Sequence, residues 1–227
     1  MSRRQRKRER MRKIIIQAAR EAFSTQPYDD VNMDEIADKA LLSRATLYNY
    51  FDTKETLYLE VGIENYRQML QMLPQAMEIE PTGLDRVMKL ATFVFQGVTR
   101  NRINYEIVRR FMENNNQAEH PVEEAYDGLT PEELDSLPPT SETVELRYFH
   151  ELMKYMSIWI DGVELGQRDG TLRDDLPPDH LAQIIQIYIT GVLEQLVLQR
   201  EALRHIGLPS ETAVKILNEN LRRTLRP

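Results

Sequence analysis

Apolar residues recur at helical spacing through most of the chain, and this pattern predicts an all-α protein of about nine helices. Proline and glycine clusters separate the periodic stretches and set the expected helix ends. The predicted helices span about residues 8–25, 33–40, 43–50, 54–76, 84–100, 102–113, 142–168 and 179–205, and a ninth carries Val214, Leu217, Leu221 and Leu225 on one side.

Residues 31–57 predict two short helices joined by a tight turn, followed by the start of a longer helix. Asn32 is placed to cap the first short helix, and Ser43 is placed to cap the second. The turn between them falls at Leu41–Leu42. This order of elements is a helix-turn-helix.

The second short helix has two contrasting faces. At about 100° per residue, Leu47 and Phe51 share one face, whereas Ala45 and Asn49 lie on the opposite face. Two large apolar side chains would anchor the helix in a small core. A small outer face that can form hydrogen bonds suits reading of the DNA major groove.

The stretch VNMDEIADKALLSRATLYNYFDTKETL, residues 31–57, resembles the DNA-binding domain of the TetR family of bacterial transcriptional regulators. The resemblance covers about a quarter of the chain. It implies a three-helix helix-turn-helix domain with a basic arm at residues 1–56. It also implies an all-helical ligand-binding and dimerisation domain at residues 57–227.

One position departs from the family pattern, which usually has glycine where Leu41 stands. A left-handed backbone at the end of this helix costs a non-glycine residue about 1 kcal/mol. Either the turn differs slightly or the strain is tolerated.

The resemblance and the residue chemistry together give the candidate DNA contacts. Asn49 could bond an adenine edge, Ala45 could touch a thymine methyl group, and Arg44 could reach a guanine or a phosphate. Lys54 resembles a family position that holds a phosphate at a helix start. Tyr48 and Tyr50 could instead fill the small core. The full set is Arg3, Arg4, Arg6, Asn32, Met33, Ser43, Arg44, Ala45, Thr46, Tyr48, Asn49, Tyr50 and Lys54.

The distribution of charge indicates that the N-terminal part of the chain binds a partner with many negative charges. The net charge of −7 alone argues against nucleic acid. However, residues 1–56 hold 12 Lys and Arg against 9 Asp and Glu, and the remainder is strongly acidic. The basic arm, residues 2–13, is either a solvated tail or a phosphate-neutralising segment. In the second case Arg3, Arg4 or Arg6 could enter an adjacent minor groove.

Aromatic and methionine side chains on the later helices are candidates for lining a ligand cavity, although most such residues are ordinary core. These candidates are Tyr66, Met69, Phe93, Tyr105, Phe111, Phe149, Met153, Trp159 and Tyr188. Gly162 and Gly166, one helical turn apart, would let another helix approach closely.

The last two helices carry more apolar surface than one core requires. In the family, these helices pair with their copies in a four-helix dimer interface. The resemblance therefore implies a homodimer, with Ile185, Val192, Leu196, Leu217 and Leu221 as interface candidates. Residues 114–140 are polar, acidic and proline-containing, and form either a functional lid or a mobile connection.

Other classes of protein are disfavoured. There are no cysteines, the four histidines are scattered, and no common catalytic or nucleotide-binding motif is present. We therefore expect no enzyme activity, no metal site and no cofactor. No run of about 18 apolar residues predicts a membrane span, and the basic N-terminus lacks the features of a signal peptide. The expected location is cytoplasmic.

Together with these patterns, the resemblance implies a sequence-specific regulator that binds a palindromic double-stranded DNA operator as a homodimer. It also implies that the protein represses transcription and is released by a small effector, which the methionine and aromatic candidates suggest is apolar. The alternative is a DNA-bound adaptor whose acidic body and long loop recruit a protein, without a small-molecule effector. An enzyme on this scaffold would need a pocket with paired titratable groups.

Overall fold

The computed structural model describes residues 2–100, 103–119, 121–125 and 143–227. Within these ranges the chain is all-α, as predicted, with ten α-helices and one short 3₁₀ helix. The α-helices are α1 (Arg3–Thr25), α2 (Met33–Lys39), α3 (Arg44–Tyr48), α4 (Lys54–Glu78), α5 (Gly83–Arg100), α6 (Ile103–Asn116), α7 (Val144–Arg168), α8 (Pro178–Leu198), α9 (Arg200–His205) and α10 (Ser210–Leu225), and the 3₁₀ helix is Val122–Ala125.

Several helix boundaries differ from the prediction. Helix α1 begins at Arg3 rather than Arg8, because Ser2 and Gln5 form a capping box. Helix α4 continues through Pro74 to Glu78. The single helix predicted over residues 179–205 is divided at Gln199, where α8 ends and α9 begins. Most of the segment 114–140, for which the sequence leaves open a lid or a mobile connection, lies outside the described residues.

The chain divides into two compact units. We call Met1–Gln68 with Asn101–Leu152 the head unit, and Met69–Arg100 with Met153–Pro227 the body unit. Helices α4 and α7 contribute residues to both units. The predicted functional boundary between residues 56 and 57 stays a prediction.

The core of the head unit contains the side chains expected from the hydrophobic pattern. Ile15 and Phe23 of α1, Ile36 of α2, Leu47 of α3 and Phe51 are all buried. Burial of each such side chain stabilises the fold by about 1.5–3 kcal/mol. These contacts hold α3 against the two helices that precede it.

In the body unit, the start of α5 crosses α7 at very short distance. A Cβ atom at Gly83 would lie 1.9 Å from the backbone nitrogen of Gly166 and 2.6 Å from the carbonyl oxygen of Gly162. The predicted close approach at the two α7 glycines is therefore confirmed. Beyond α7, Asp169 and Thr171 accept hydrogen bonds from the first backbone N–H groups of α5.

The turn of the helix-turn-helix contains one residue in the left-handed backbone conformation, and this residue is not a glycine. Leu41 has φ 57°, and its side chain is 91% exposed. The Leu42 N–H donates to the Ala37 carbonyl at 2.9 Å, and the Leu41 N–H donates to the Asp38 carbonyl at 3.0 Å. These bonds form a Schellman motif, so the turn has the expected geometry and the strain is tolerated.

We expect Leu41→Gly to raise the free energy of unfolding by about 1 kcal/mol, because glycine adopts this backbone conformation without strain. Equilibrium urea unfolding measures the change. The matched control is Lys39→Gly, in the last turn of α2, which should lower stability by about 0.7 kcal/mol through helix propensity. Loss of stability in the Leu41 variant would contradict the assignment of strain.

Candidate DNA-reading surface

Helix α3 is shorter than predicted but keeps its cap. The Ser43 Oγ accepts a hydrogen bond from the Thr46 N–H at 3.2 Å, and the two hydroxyl groups are 2.8 Å apart. The helix has five residues instead of eight and ends at Tyr48. The backbone continues to turn, since the N–H groups of Tyr50 and Phe51 both bond the Leu47 carbonyl.

The outer and inner faces of α3 lie where the sequence predicts. Leu47 is 0% exposed and Phe51 is 1% exposed, whereas Ala45 and Asn49 are exposed. The backbone of Asn49 is fixed as the C-terminal cap, with its N–H donating to the Ala45 carbonyl at 3.2 Å. We call the outward face formed by residues 43–46 and 48–50 the reading surface.

Arg44 joins the two short helices across the reading surface. Its Nη1 lies 3.1 Å from Asp34 Oδ2, and its guanidinium carbon lies 5.6 Å from the centre of the Tyr48 ring. Both charged side chains are well exposed. An exposed ion pair contributes less than about 1 kcal/mol, so Arg44 can exchange Asp34 for another acceptor at low cost.

Two predicted DNA contacts at the start of α2 have structural roles. The Asn32 Oδ1 accepts a hydrogen bond from the Glu35 N–H at 2.8 Å, so its side chain serves as the predicted cap. Met33 is buried. Its side chain is not available to DNA in this conformation, because it packs in the small core. Met33 is therefore removed from the proposed contacts.

Lys54 also points inward. Its ammonium group donates to the carbonyls of Tyr28 and Val31, both at 2.8 Å, and to that of Asp29 at 3.4 Å. The ammonium has three hydrogens, and these three acceptors can occupy all of them. In this conformation Lys54 supports the segment of residues 26–32, which we call the Tyr28 loop, rather than presenting its charge to a phosphate.

The basic arm is the exposed first part of α1. Arg3, Arg4 and Arg6 are exposed, and the first buried residue of the helix is Ile15. Residues 3–10 are all exposed, so at 1.5 Å per residue about 12 Å of exposed basic helix precede the half-buried Met11 and Arg12. A minor-groove arm would require this segment to unwind, whereas phosphate contacts would not. Entry into the minor groove stays a prediction.

Three of the candidate ligand contacts lie close together in the head unit. They surround Tyr148, an aromatic residue that was not among the candidates. Tyr148 is completely buried, with ring centres 4.7 Å from Phe111 and 5.7 Å from Tyr66. Phe149 lies 6.4 Å from Phe111. The space bounded by Tyr66, Gly62 and Tyr148 has no room for a water molecule. This cluster is therefore packed core in the present conformation.

The remaining ligand candidates have varied surroundings. Trp159 is fully buried beside Tyr155, whereas Phe93 lies at the surface. The Tyr188 hydroxyl donates a hydrogen bond to the Leu217 carbonyl at 3.5 Å. The other candidates, Met69, Tyr105 and Met153, are half-buried.

The dimer candidates on α8 and α10 require correction. Ile185 is only 1% exposed and Leu221 is also buried, so both belong to the core of the body unit. Val192, Leu196 and Leu217 are half-buried. The exposed apolar face of α8 instead carries Ile184, Ile187 and Leu198, with Ile187 64% exposed. The sequence pattern did not separate the buried face of α8 from its exposed face, because this helix is apolar nearly all round.

Two further observations limit other kinds of site. Among the described residues, α8 is the one helix that is long and apolar enough to cross a membrane by length and composition. A core helix can pass the same test, so this is weak evidence for a span. In the same part of the chain, no group of three His, Asp or Glu side chains is placed to hold a metal ion.

Comparison with known proteins supports the helix-turn-helix assignment. Residues 15–61 match the family of bacterial regulatory proteins named tetR. The HTH-type transcriptional activator FasR of Mycolicibacterium smegmatis is 29% identical over 100 residues, which cover 44% of this chain and 45% of FasR. The match therefore spans less than half the length of that relative.

Solved structures share the fold over nearly the whole chain. A transcriptional regulator from Saccharomonospora viridis, in complex with choline, has a TM-score of 0.70 and 16% identity, and the match covers 96% of this chain and 98% of that one. FadR from Bacillus subtilis, in complex with stearoyl-CoA, has a TM-score of 0.61 and 17% identity, with 90% and 96% covered. At this identity the likeness concerns the fold alone. Residues 15–61 are therefore a helix-turn-helix domain of the tetR family of bacterial regulatory proteins, and the chain as a whole has the fold of the transcriptional regulators to which it is similar.

Proposed function

We propose that the protein binds a palindromic DNA operator as a homodimer through the reading surface, and that a small, apolar effector releases it. The observation that carries the proposal is the arrangement of α3. Leu47 and Phe51 fix the helix in the core, while Ala45 and Asn49 face outward. A rigid helix with small and amide side chains on its outer face suits insertion into the major groove.

The test of this function is selection of bound sequences from random double-stranded DNA by the full chain. Enrichment of a two-fold symmetric site is expected. Its half-sites should be centred about 10 base pairs, or a multiple of that spacing, apart. The absence of any enriched sequence would overturn the proposal.

Asn49→Ala should relax the preference at one base pair in each half-site. A good amide–adenine pair discriminates by about 1–3 kcal/mol, so operator affinity should fall by about 5- to 150-fold for each half-site, while affinity for random DNA changes little. Arg8→Gln, in the basic arm, is the control: it should weaken binding to all sequences and reduce the salt slope by about 0.9 for each phosphate contact that is lost. Equal losses on operator and random DNA in the Asn49 variant would contradict base reading.

Dimerisation is proposed to use the exposed face of α8, with Ile184, Ile187 and Leu198. Their exposure in a single chain is the support, because large exposed apolar side chains grouped on one helix face favour burial against another surface. The small Gly191 lies on α8 between Ile187 and Leu198, and open space surrounds its Cβ position. A second copy packed on this face would give a two-fold interface.

Ile187→Glu should produce a monomer, since it places a charge within the proposed interface. A monomer has only one head unit and loses the gain from bivalent binding, so operator affinity should fall by about 100-fold or more. Sedimentation velocity and operator titration measure the two effects. Ile79→Glu, another exposed isoleucine beyond the end of α4, is the matched control and should remain dimeric. A dimeric Ile187 variant would refute the proposed face.

Effector control is proposed from the ligands held by the structural neighbours. A molecule that prefers a protein conformation with a different head spacing would lower DNA affinity by its differential affinity for the two states. Fatty acyl-CoAs of increasing chain length and choline are suitable first probes of release from the selected operator. Affinity that is independent of all effectors would favour the adaptor alternative.

Repression is the proposed direction of regulation, although the relative FasR is an activator. A reporter placed behind the selected operator gives the sign. Expression is expected to rise when the protein is deleted, and a fall would show activation instead.

A further inference from the structure

The aromatic ring of Tyr28, in the loop between α1 and α2, lies beside two cations. The Arg110 guanidinium carbon is 3.7 Å from the ring centre, and the Lys54 ammonium nitrogen is 4.3 Å from it. The rings of Phe23 and Tyr58 are also close, at 5.8 Å and 4.8 Å between centres. A cation over an aromatic face contributes a measurable attraction, which increases with desolvation.

Arg110 belongs to α6 and joins two parts of the helix-turn-helix region to that helix. Its Nε donates to Glu55 Oε2 at 3.0 Å, in the first turn of α4. Its Nη1 lies 3.9 Å from Asp29 Oδ1, in the Tyr28 loop. The Asn114 side chain, one turn further along α6, donates to the other Glu55 oxygen at 3.2 Å. One side of the loop is therefore held by α6.

Lys54 holds the backbone of the same loop through the three carbonyls already described. The loop is thus fixed through its backbone by Lys54 and through its side chains by Arg110. These contacts control the entry to α2, because the loop ends at Val31, which is buried, and Asn32, which caps α2. Helix α2 in turn packs against α3.

A cavity of about 350 Å³ lies beside the Tyr28 loop, between the end of α1 and α6. Ser24, Gln26, Asp29 and Glu106 are among its lining residues, and much of the lining is polar. Tight apolar packing does not hold the loop on the side of the cavity. The polar and cation–aromatic contacts therefore have a larger share in setting its position.

We propose that Arg110 is a positioning residue for DNA reading, which acts through Tyr28 and Glu55 on the placement of α2 and the reading surface. This inference rests on the proposed function, because operator affinity is its readout. It assigns a role in DNA affinity to a residue outside the helix-turn-helix. Arg110 acts through the Tyr28 loop rather than by touching a base.

The neighbouring Arg109 offers a matched control. Its guanidinium pairs with Glu106 and Glu113, both on its own helix. Arg109→Gln and Arg110→Gln remove the same charge at adjacent positions on α6. A simple effect of net charge on DNA affinity would be equal in the two variants, whereas a positioning effect would be confined to Arg110.

The experiment measures affinity for the selected operator and for random DNA at a temperature where all variants are folded. Arg110→Gln should lower operator affinity by about tenfold, and Arg109→Gln by less than about twofold. Arg110→Lys keeps the charge but not the planar guanidinium, and should give an intermediate loss. Arg110→Gln and Tyr28→Leu combined should be no worse than the more damaging single change, because both break the same contact.

Amide hydrogen exchange supplies a readout that does not need DNA. The N–H groups of Asp30 and Val31 both bond the Pro27 carbonyl within the loop. Their exchange should accelerate in Arg110→Gln and not in Arg109→Gln.

Three results would overturn the inference. Equal operator affinities for the two glutamine variants, fully additive losses with Tyr28→Leu, or unchanged loop exchange would each do so while leaving the proposed function standing. A wild-type protein that selects no operator would overturn the proposed function, and the inference with it.

Discussion

Gly83→Ala is expected to lower the free energy of unfolding by about 4 kcal/mol, among the largest effects of a single methyl group in this chain. The added Cβ would lie 1.9 Å from the Gly166 nitrogen and 2.2 Å from its Cα. Both are backbone atoms, so no side-chain rotation can relieve the clash. Relief requires α5 and α7 to separate, which would also break the hydrogen bond from the Gly83 N–H to Asp169.

Gly97→Ala, on the same helix, is the matched control. Its new Cβ would meet nothing within 4 Å, and alanine favours a helix interior by about 1 kcal/mol over glycine. Equilibrium unfolding monitored by circular dichroism should show opposite signs for the two variants. A Gly83 variant within about 1 kcal/mol of the wild type would contradict the close crossing of α5 and α7.

Glu60→Ala is expected to destabilise the head unit by about 3 kcal/mol, because it leaves two arginines without their shared acceptor. Glu60 is buried, and its Oε1 lies 2.6 Å from Nη2 of both Arg12 and Arg147. The two guanidinium groups are partly exposed, which places the estimate at the lower end of the usual range for a broken buried pair. Arg12 also lies 4.6 Å from the ring centre of Phe51, which anchors α3.

Glu64→Ala, one turn further along α4, is the control for loss of a carboxylate. Glu64 accepts a hydrogen bond from Gln68 on its own helix, and its removal should cost less than about 0.5 kcal/mol. Urea unfolding of both variants, followed by operator titration at a temperature where they are folded, separates stability from DNA affinity. Similar losses in stability for the two variants would refute the special role of Glu60.

Local sequence signals predicted the helix-turn-helix well. The caps at Asn32 and Ser43 and the burial of Leu47 and Phe51 follow from hydrogen-bonding chemistry and helical periodicity within short windows. The earlier start of α1 also had a local signal, since Ser2 and Gln5 have capping-box spacing. The run of basic residues that follows obscured it.

The hydrophobic pattern could not predict contacts between residues that are far apart in the sequence. Nothing within the window around Lys54 indicates that its ammonium binds three carbonyls about 25 residues earlier in the chain. The partnership of Arg110 with Tyr28 likewise depends on the packing of α6 beside the head helices. On α8, apolar residues surround the helix, so helical periodicity could not show that Ile185 lies on the buried face and Ile187 on the exposed face.

The proposed DNA contacts, dimer face and effector control all concern one event, the binding of the operator. Their common premise is that Asn49 lies against duplex bases when the protein is bound. Because the chain contains no cysteine, Asn49→Cys introduces a unique thiol at this position.

The most direct measurement is disulfide cross-linking of Asn49→Cys to the selected operator carrying a thiol-tethered base in the major groove. We predict efficient cross-linking at two positions related by the symmetry of the operator, one for each subunit. Gln75→Cys, an exposed position of α4 in the body unit, provides the background level. Cross-linking of Asn49→Cys no higher than that background at every tethered position would contradict the account.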